Sequence, residues 1–225
     1  MTTQTDIERA RFNMVEQQIR PWDVLDQQVL DLLFELRRED FVLPQYRSLA
    51  FFDMEIPLSA NAGEDERMLA PKLEARMLQA LSVKPSDRVL EIGTGSGYMT
   101  ALLARRAAHV TSVEINPEFS AQAAQRLAAH DIRNITLETG DGARGWARNA
   151  PYDAIVLTGS TPVLDPAFQS SLNAGGHLLA IVGDAPAMTA QLINCEAPGV
   201  FRSTGLFETC VPPLRNAPQP KRFEF

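Results

Sequence analysis

The sequence predicts an α/β fold: a doubly wound, mostly parallel sheet with an N-terminal helical extension and a C-terminal antiparallel hairpin. Three observations carry that expectation. From Arg88 onward, short apolar strand-like runs alternate with helix-like segments, as in βαβ units whose sheet is covered on both faces. The first run leads straight into Gly93-Thr94-Gly95-Ser96-Gly97, a glycine-rich turn from strand to helix. The last two runs are joined by Ala197-Pro198-Gly199, a turn signal between strands.

Residues 6 to about 48 read as helical. Ile7, Phe12, Val15 and Ile19 make an apolar face, which Pro21 interrupts. A second helix is expected from Asp26 to Leu36, with Val29, Leu30, Leu32 and Leu33 inward and Asp26 as its N-cap. Residues 49–70 read as irregular, with an exposed loop at Asn61-Ala62-Gly63 followed by Glu64-Asp65-Glu66. Pro71 suits the first turn of a helix running to about Leu81. Strands are then expected at Arg88–Ile92, His109–Ile115, Ile135–Thr139, Tyr152–Thr158 and Gly176–Val182. Helices are expected at Tyr98–Ala107, Pro117–His130 and Asp165–Leu172. Met188–Glu196 and Val200–Cys210 form the closing hairpin. The expected division is a helical, substrate-side segment over 1–80 packed on an α/β core over 81–225.

A chain of 225 residues can bury one sizeable core, and 45% hydrophobic with 22% charged residues is ordinary for a globular protein. The formal charge, 21 − 28 = −7, gives no general attraction to nucleic acid, so no nucleic-acid partner is expected. The polar, acidic start lacks an apolar signal region, and no run approaches the ~18–20 apolar residues that span a bilayer. Cys195 and Cys210 have no metal-type spacing, and no metal is expected. Adjacent late strands make the two cysteines potential neighbours, with reduced thiols the default, and the expected location is cytoplasmic.

The glycine turn and the next strand name a class of ligand. Glycines let a ligand approach the backbone, and Glu114, near the end of the second strand, suits hydrogen bonds from ribose hydroxyls. A dinucleotide fingerprint would place a third glycine at Tyr98. The pattern is instead E-x-G-x-G-x-G from Glu91, which resembles the first motif of Rossmann-like class I S-adenosylmethionine methyltransferases.

More stretches extend the likeness: Gly140-Asp141-Gly142 with Gly145-Trp146, Pro151-Tyr152-Asp153-Ala154, Gly175-Gly176-His177-Leu178, and upstream Met14-Val15 with Gln18 and Ile56-Pro57-Leu58. Together they resemble the protein-L-isoaspartate O-methyltransferase family over nearly the whole chain. The resemblance implies methyl transfer from S-adenosylmethionine, with S-adenosylhomocysteine as product, to the α-carboxylate of L-isoaspartyl residues in damaged proteins. It also implies a cofactor site of Glu91, Gly93, Thr94, Gly95, Gly97, Glu114, Ile115, Asp141 and Gly142, with Thr158 near the methyl donor. A carboxylate is ionised at neutral pH and can accept a methyl without a base, so positioning is the main task. His109, His130 and His177 need no catalytic role.

One stretch departs from the family. Members carry G-Q-T-I-S-x-P ahead of the helix at Pro71, and here the threonine and serine positions hold Arg67 and Leu69. No Ser, Thr or Tyr occurs from Ala60 through Leu81, so no small shift in register restores a hydroxyl. A lost hydrogen bond to a charged group costs about 1.5–3 kcal/mol. Arg67 could instead hold a carboxylate through its guanidinium fork, or be a solvated loop arginine. The tail Val211-Pro212-Pro213-Leu214 carries one more proline than the family's V-P-L. Two alternatives therefore stand beside isoaspartyl methylation: the same scaffold acting on another acceptor, such as a small molecule, and a non-catalytic S-adenosylmethionine-binding protein.

Overall fold

The computed structural model describes residues 4–220. Met1–Thr3 and Lys221–Phe225, the two ends of the expected division, lie outside the described residues. The chain opens with helix α1 (Gln4–Asn13), which continues as a wider-pitched turn over Met14–Ile19 and a tight turn over Arg20–Trp22. Pro21 sits inside that last turn, and Asp23, with φ 60°, ends it. Helix α2 (Gln27–Glu35) starts at Asp26, whose carboxylate accepts the Gln28 N–H at 2.9 Å and so satisfies a donor the helix leaves open. Residues 38–51 coil as two tight helical turns. The stretch expected to be irregular contains a small ladder: β1 (Ile56–Pro57) pairs antiparallel with β2 (Arg67–Met68), and Leu58 N–H reaches the Glu66 carbonyl. Helix α3 (Pro71–Leu81) follows with Pro71 in its first turn.

The sheet comprises β3 (Arg88–Ile92), β4 (His109–Glu114), β5 (Ile135–Thr139), β6 (Tyr152–Thr161), β7 (Leu172–Asp184), β8 (Ala187–Ala197) and β9 (Val200–Thr209). Its order is β5-β4-β3-β6-β7-β8-β9; the first five strands are parallel and the last two antiparallel. Helices α4 (Tyr98–Ala104), α5 (Pro117–Ala129) and α6 (Pro166–Ser170) make the connections. The chain runs outward from β3 through β4 to β5, then returns to the other side of β3 as β6. The strand order thus reverses between β3 and β6, where an open α/β sheet leaves a crevice beyond its strand ends.

The expected closing hairpin is present as β8 and β9, and β7, 13 residues long, pairs with β8 along Asp184 to His177. One expectation needs correction. The cysteines are not neighbours: Cys195 faces Phe201, whereas Cys210 follows Thr209, which faces Met188. At ~3.3 Å per residue the two thiols are separated by roughly 30 Å of hairpin, and both are free.

One buried cluster joins Met14, Leu30, Ile56 and Met68 of the N-terminal segment to Val89, Val156 and Leu179 of the sheet. A polar clamp crosses the same layer. Arg38, 1% exposed, donates through Nε to Glu74 at 3.1 Å, through Nη1 to the Ala50 carbonyl at 3.0 Å, and through Nη2 to the Leu69 carbonyl. Burial pushes Glu74 above the ordinary carboxylate range, and Arg38 offsets part of that shift. Removing either partner would strand a buried charge, at about 3–5 kcal/mol. The clamp thereby fixes the chain at Leu69, on the edge of the crevice.

Candidate active site

A cleft of about 970 Å³, partly open to solvent, lies beyond the ends of β3, β4, β5 and β6. Its floor is the glycine turn. Gly93 has φ 97°, and a Cβ there would come within 2.3 Å of Thr158 Oγ1. Thr158 fills that space itself: its hydroxyl lies 3.0 Å from the Ile92 carbonyl and 2.6 Å from that of Gly93, so it ties the end of β6 to the turn. Gly97, with φ 85°, answers to packing, since a Cβ there would stand 3.1 Å from Ala123 Cβ on α5.

Glu114 ends β4 and is 6% exposed. Its Oε2 accepts the Gly95 N–H at 2.8 Å and its Oε1 accepts the Asn116 N–H at 2.9 Å. Two backbone donors hold the carboxylate in place, and each oxygen keeps a lone pair for a further donor. Asp141, after β5, accepts the Ala143 N–H at 3.0 Å and the Asn216 amide at 2.9 Å. Gly142 beside it has no room for a side chain: a Cβ would come within 2.8 Å of Ile92 Cδ1. Ile92, Val113, Ile115 and Phe119 give this end of the cleft apolar walls.

Of the residues expected in the cofactor site, Gly93, Thr94, Gly95, Glu114, Ile115, Asp141 and Gly142 line the cleft; Glu91 and Gly97 do not. Glu91 lies fully buried behind the turn. Its Oε2 accepts the hydroxyls of Thr100 and, at 2.6 Å, Ser112, and Ser112 also bonds Thr94 at 2.6 Å. Burial pushes its pKa to about 8 despite these bonds, with Glu114 and Glu74 adding repulsion, and its Oε1 has no partner. A protonated carboxyl under the glycine turn follows.

The cleft is also lined by Arg67, Met68 and Leu69 and by the tail from Pro212 to Arg215. The tail is fixed by Ser160 N–H to the Pro212 carbonyl at 2.9 Å and Leu214 N–H to the Ser160 carbonyl at 2.8 Å. Arg215 forms an ion pair with Glu66. Sequence reasoning missed Phe119, Asn116 and the reach of the tail. The Asn116-Pro117 pair is an N-cap signature that could have placed the first two at the cleft, and Asn116 does accept the Glu118 N–H at 3.0 Å. The tail's one local mark is the family-like Val211-Pro212-Pro213-Leu214 stretch. Among the described residues, no group of three His, Cys, Asp or Glu could hold a metal ion, and no helix is long and apolar enough to cross a membrane.

A crevice at the strand-order reversal, a glycine turn and a braced carboxylate after the second parallel strand define a class I S-adenosylmethionine-dependent methyltransferase. The described residues fit that cofactor. Glu114 has lone pairs to spare, Gly93 and Gly142 leave backbone bare, and apolar side chains flank the polar groups. The chain belongs to the protein-L-isoaspartate(D-aspartate) O-methyltransferase family, whose model matches residues 9–211. It is 39% identical over 196 residues to protein-L-isoaspartate O-methyltransferase 1 of Anaeromyxobacter sp. (strain Fw109-5), covering 86% of this chain and 91% of that one. A solved protein-L-isoaspartate O-methyltransferase superimposes with a TM-score of 0.76 at 24% identity; the match covers 92% of this chain and 65% of that one, just under two thirds of its length. A Plasmodium falciparum structure, described as a beta-aspartate methyltransferase in complex with S-adenosyl-L-homocysteine, gives 0.74 at 16% identity, covering 92% of this chain and 97% of that one. These two likenesses concern the fold.

Proposed function

We propose that the protein methylates the α-carboxylate of L-isoaspartyl residues in damaged proteins or peptides. The observation that carries this reading is the family match over residues 9–211 on a chain whose cleft combines a braced ribose-type carboxylate with an adjacent acceptor side. Bound S-adenosylmethionine supplies an electrophilic methyl on a sulfonium, which a carboxylate oxygen accepts directly, leaving S-adenosylhomocysteine. Glu114 would accept the ribose hydroxyls, Asp141 and the bare backbone at Gly142 would hold the adenine edge, and the Gly93–Gly95 turn would hold the methionine part. Thr158 holds the turn rather than the acceptor, because its one proton is committed to backbone carbonyls. Leu69, its carbonyl held by Arg38, gives the acceptor side an apolar wall. The free thiols of Cys195 and Cys210 suit a reducing, cytoplasmic setting.

Arg67 and Leu69, which stand where the family has hydroxyls, support a second reading, in which the same scaffold methylates another acceptor. Transfer of labelled methyl to an isoaspartyl peptide, with its normal aspartyl counterpart as control, separates the two. Isoaspartyl-specific transfer is expected. Cofactor binding without transfer to either peptide would reject the first reading and favour the second.

A further inference from the structure

An anionic acceptor would enter a cleft whose charged lining residues are mostly acidic. Asp65, Glu66, Glu74, Glu114 and Asp141 line it, and Arg67 and Arg215 are its two cations among the described residues. Like charges in a partly desolvated cleft repel, so a carboxylate needs a cation where it docks. Arg38 already answers Glu74 from behind. On the acceptor side, Met68 and Leu69 offer no side-chain donor and the Thr158 hydroxyl is committed elsewhere. The two arginines remain.

Their contacts show what they can hold. Arg67 follows Glu66 in the chain. Its Nε donates to the Glu64 carbonyl at 3.0 Å, and its two Nη nitrogens make no hydrogen bond among the described residues. Arg215 reaches Glu66 from the tail, and only 14% of the Glu66 side chain is exposed against 54% of Arg215. A carboxylate of the protein itself, Glu66, thus already holds one of the cleft's two guanidinium groups, that of Arg215, while Arg67 acts electrostatically on Glu55. A guanidinium presents its donors as a planar fork that matches a carboxylate, and one such fork can exchange one carboxylate for another.

We propose that Arg67 and Arg215 form the carboxylate-binding element for the methyl acceptor, with Arg215 held by Glu66 as an internal carboxylate until an acceptor displaces it. The proposal rests on the carboxylate-methylating reading above and deepens it: recognition that the family's hydroxyls would supply is carried here by charge. The acceptor it selects carries a free carboxylate, and an amide in the same place is rejected. The cofactor's own carboxylate shares this chemistry, so the test separates the two.

The experiment uses the full chain. Binding of a fluorescent isoaspartyl peptide to the protein saturated with S-adenosylhomocysteine is read by anisotropy, its methylation by kcat and KM, and affinity for S-adenosylhomocysteine by calorimetry. R67A and R215A are each expected to weaken peptide binding and raise KM tenfold or more, with S-adenosylhomocysteine affinity within twofold and the melting temperature near that of the parent. R67K and R215K should restore part of the loss. E66Q, which weakens the internal competitor, should tighten peptide binding at least threefold. Unchanged peptide binding in both alanine variants would overturn the proposal, as would a loss confined to S-adenosylhomocysteine, which would give the arginines to the cofactor. An E66Q protein that binds peptide no better would remove the internal-carboxylate role. If the parent protein itself neither binds nor methylates the peptide, the isoaspartyl reading fails and the proposal falls with it.

Discussion

Replacing Glu91 by glutamine tests whether the acid of the glycine motif is a buried, protonated brace. Glu91 is 0% exposed, accepts from Thr100 and Ser112 on one oxygen, and has no partner on the other. Burial raises its pKa from an ordinary 4.5 to about 8 in the folded protein. Between those values the unfolded chain has released the proton while the folded chain retains it, so rising pH favours unfolding. The contribution is complete below about pH 4.5 and is lost as pH rises through 8. At ~1.36 kcal/mol per unit, the whole span is on the order of 5 kcal/mol. Glutamine has no proton to lose and keeps the shape of the neutral acid. Urea unfolding of both proteins at intervals from about pH 5.5 to 8, extrapolated linearly to water, measures the difference. The stability of the parent relative to E91Q should fall by about 1 kcal/mol per pH unit. Parallel curves would refute the argument, because a carboxylate ionised in both states gives the variant no pH-dependent advantage.

Three further outcomes follow from the geometry. Glu114→Ala removes the braced acceptor of two ribose hydroxyls; with each bond to a charged group at about 1.5–3 kcal/mol, affinity for S-adenosylmethionine should fall at least ~100-fold by calorimetry, and unchanged affinity would reject the assigned cofactor orientation. Leu69→Ser restores a hydroxyl at the family's serine position and should raise kcat/KM for an isoaspartyl peptide by up to about tenfold; no gain would show that the whole Arg67–Leu69 stretch has replaced the family's solution. Gly97→Ala must adopt φ 85° and meet Ala123 at 3.1 Å, so it should lower stability by about 1–3 kcal/mol in thermal or urea unfolding, and a neutral result would discard the packing role.

Local chemistry made much of the fold legible. Pro71 and the N-caps Asp26 and Asp165 mark helix starts because each acts within a few residues, and the Arg88–Ile92 and Ile135–Thr139 strands stand out as bounded apolar runs. The strand-end side of the cleft was readable for the same reason: Gly93, Gly95, Glu114 and Asp141 line it and follow or end strands that the alternation locates. Contacts between distant segments were not readable. Arg38 stands in the charged run Arg37-Arg38-Glu39-Asp40, yet it is buried, with partners 12 to 36 residues away. Asn216 meets Asp141 across 75 residues, and Arg215 meets Glu66 across 149. Glu91 and Gly97 belong to the motif by spacing, but alternation of side chains along β3 turns Glu91 away from the cleft, and α5 claims the space over Gly97. The Ile56–Pro57 ladder with Arg67–Met68 is two residues long, too short for any periodicity to show.

The central claim is that the methyl acceptor is a carboxylate. The most direct measurement labels the methyl group of S-adenosylmethionine, lets the protein act on an isoaspartyl peptide, and treats the isolated product with mild alkali. A methyl ester hydrolyses under those conditions, so the label should leave as volatile methanol. Label that stays on the peptide would mean transfer to nitrogen, sulfur or an ether oxygen, and would contradict carboxylate methylation at this site.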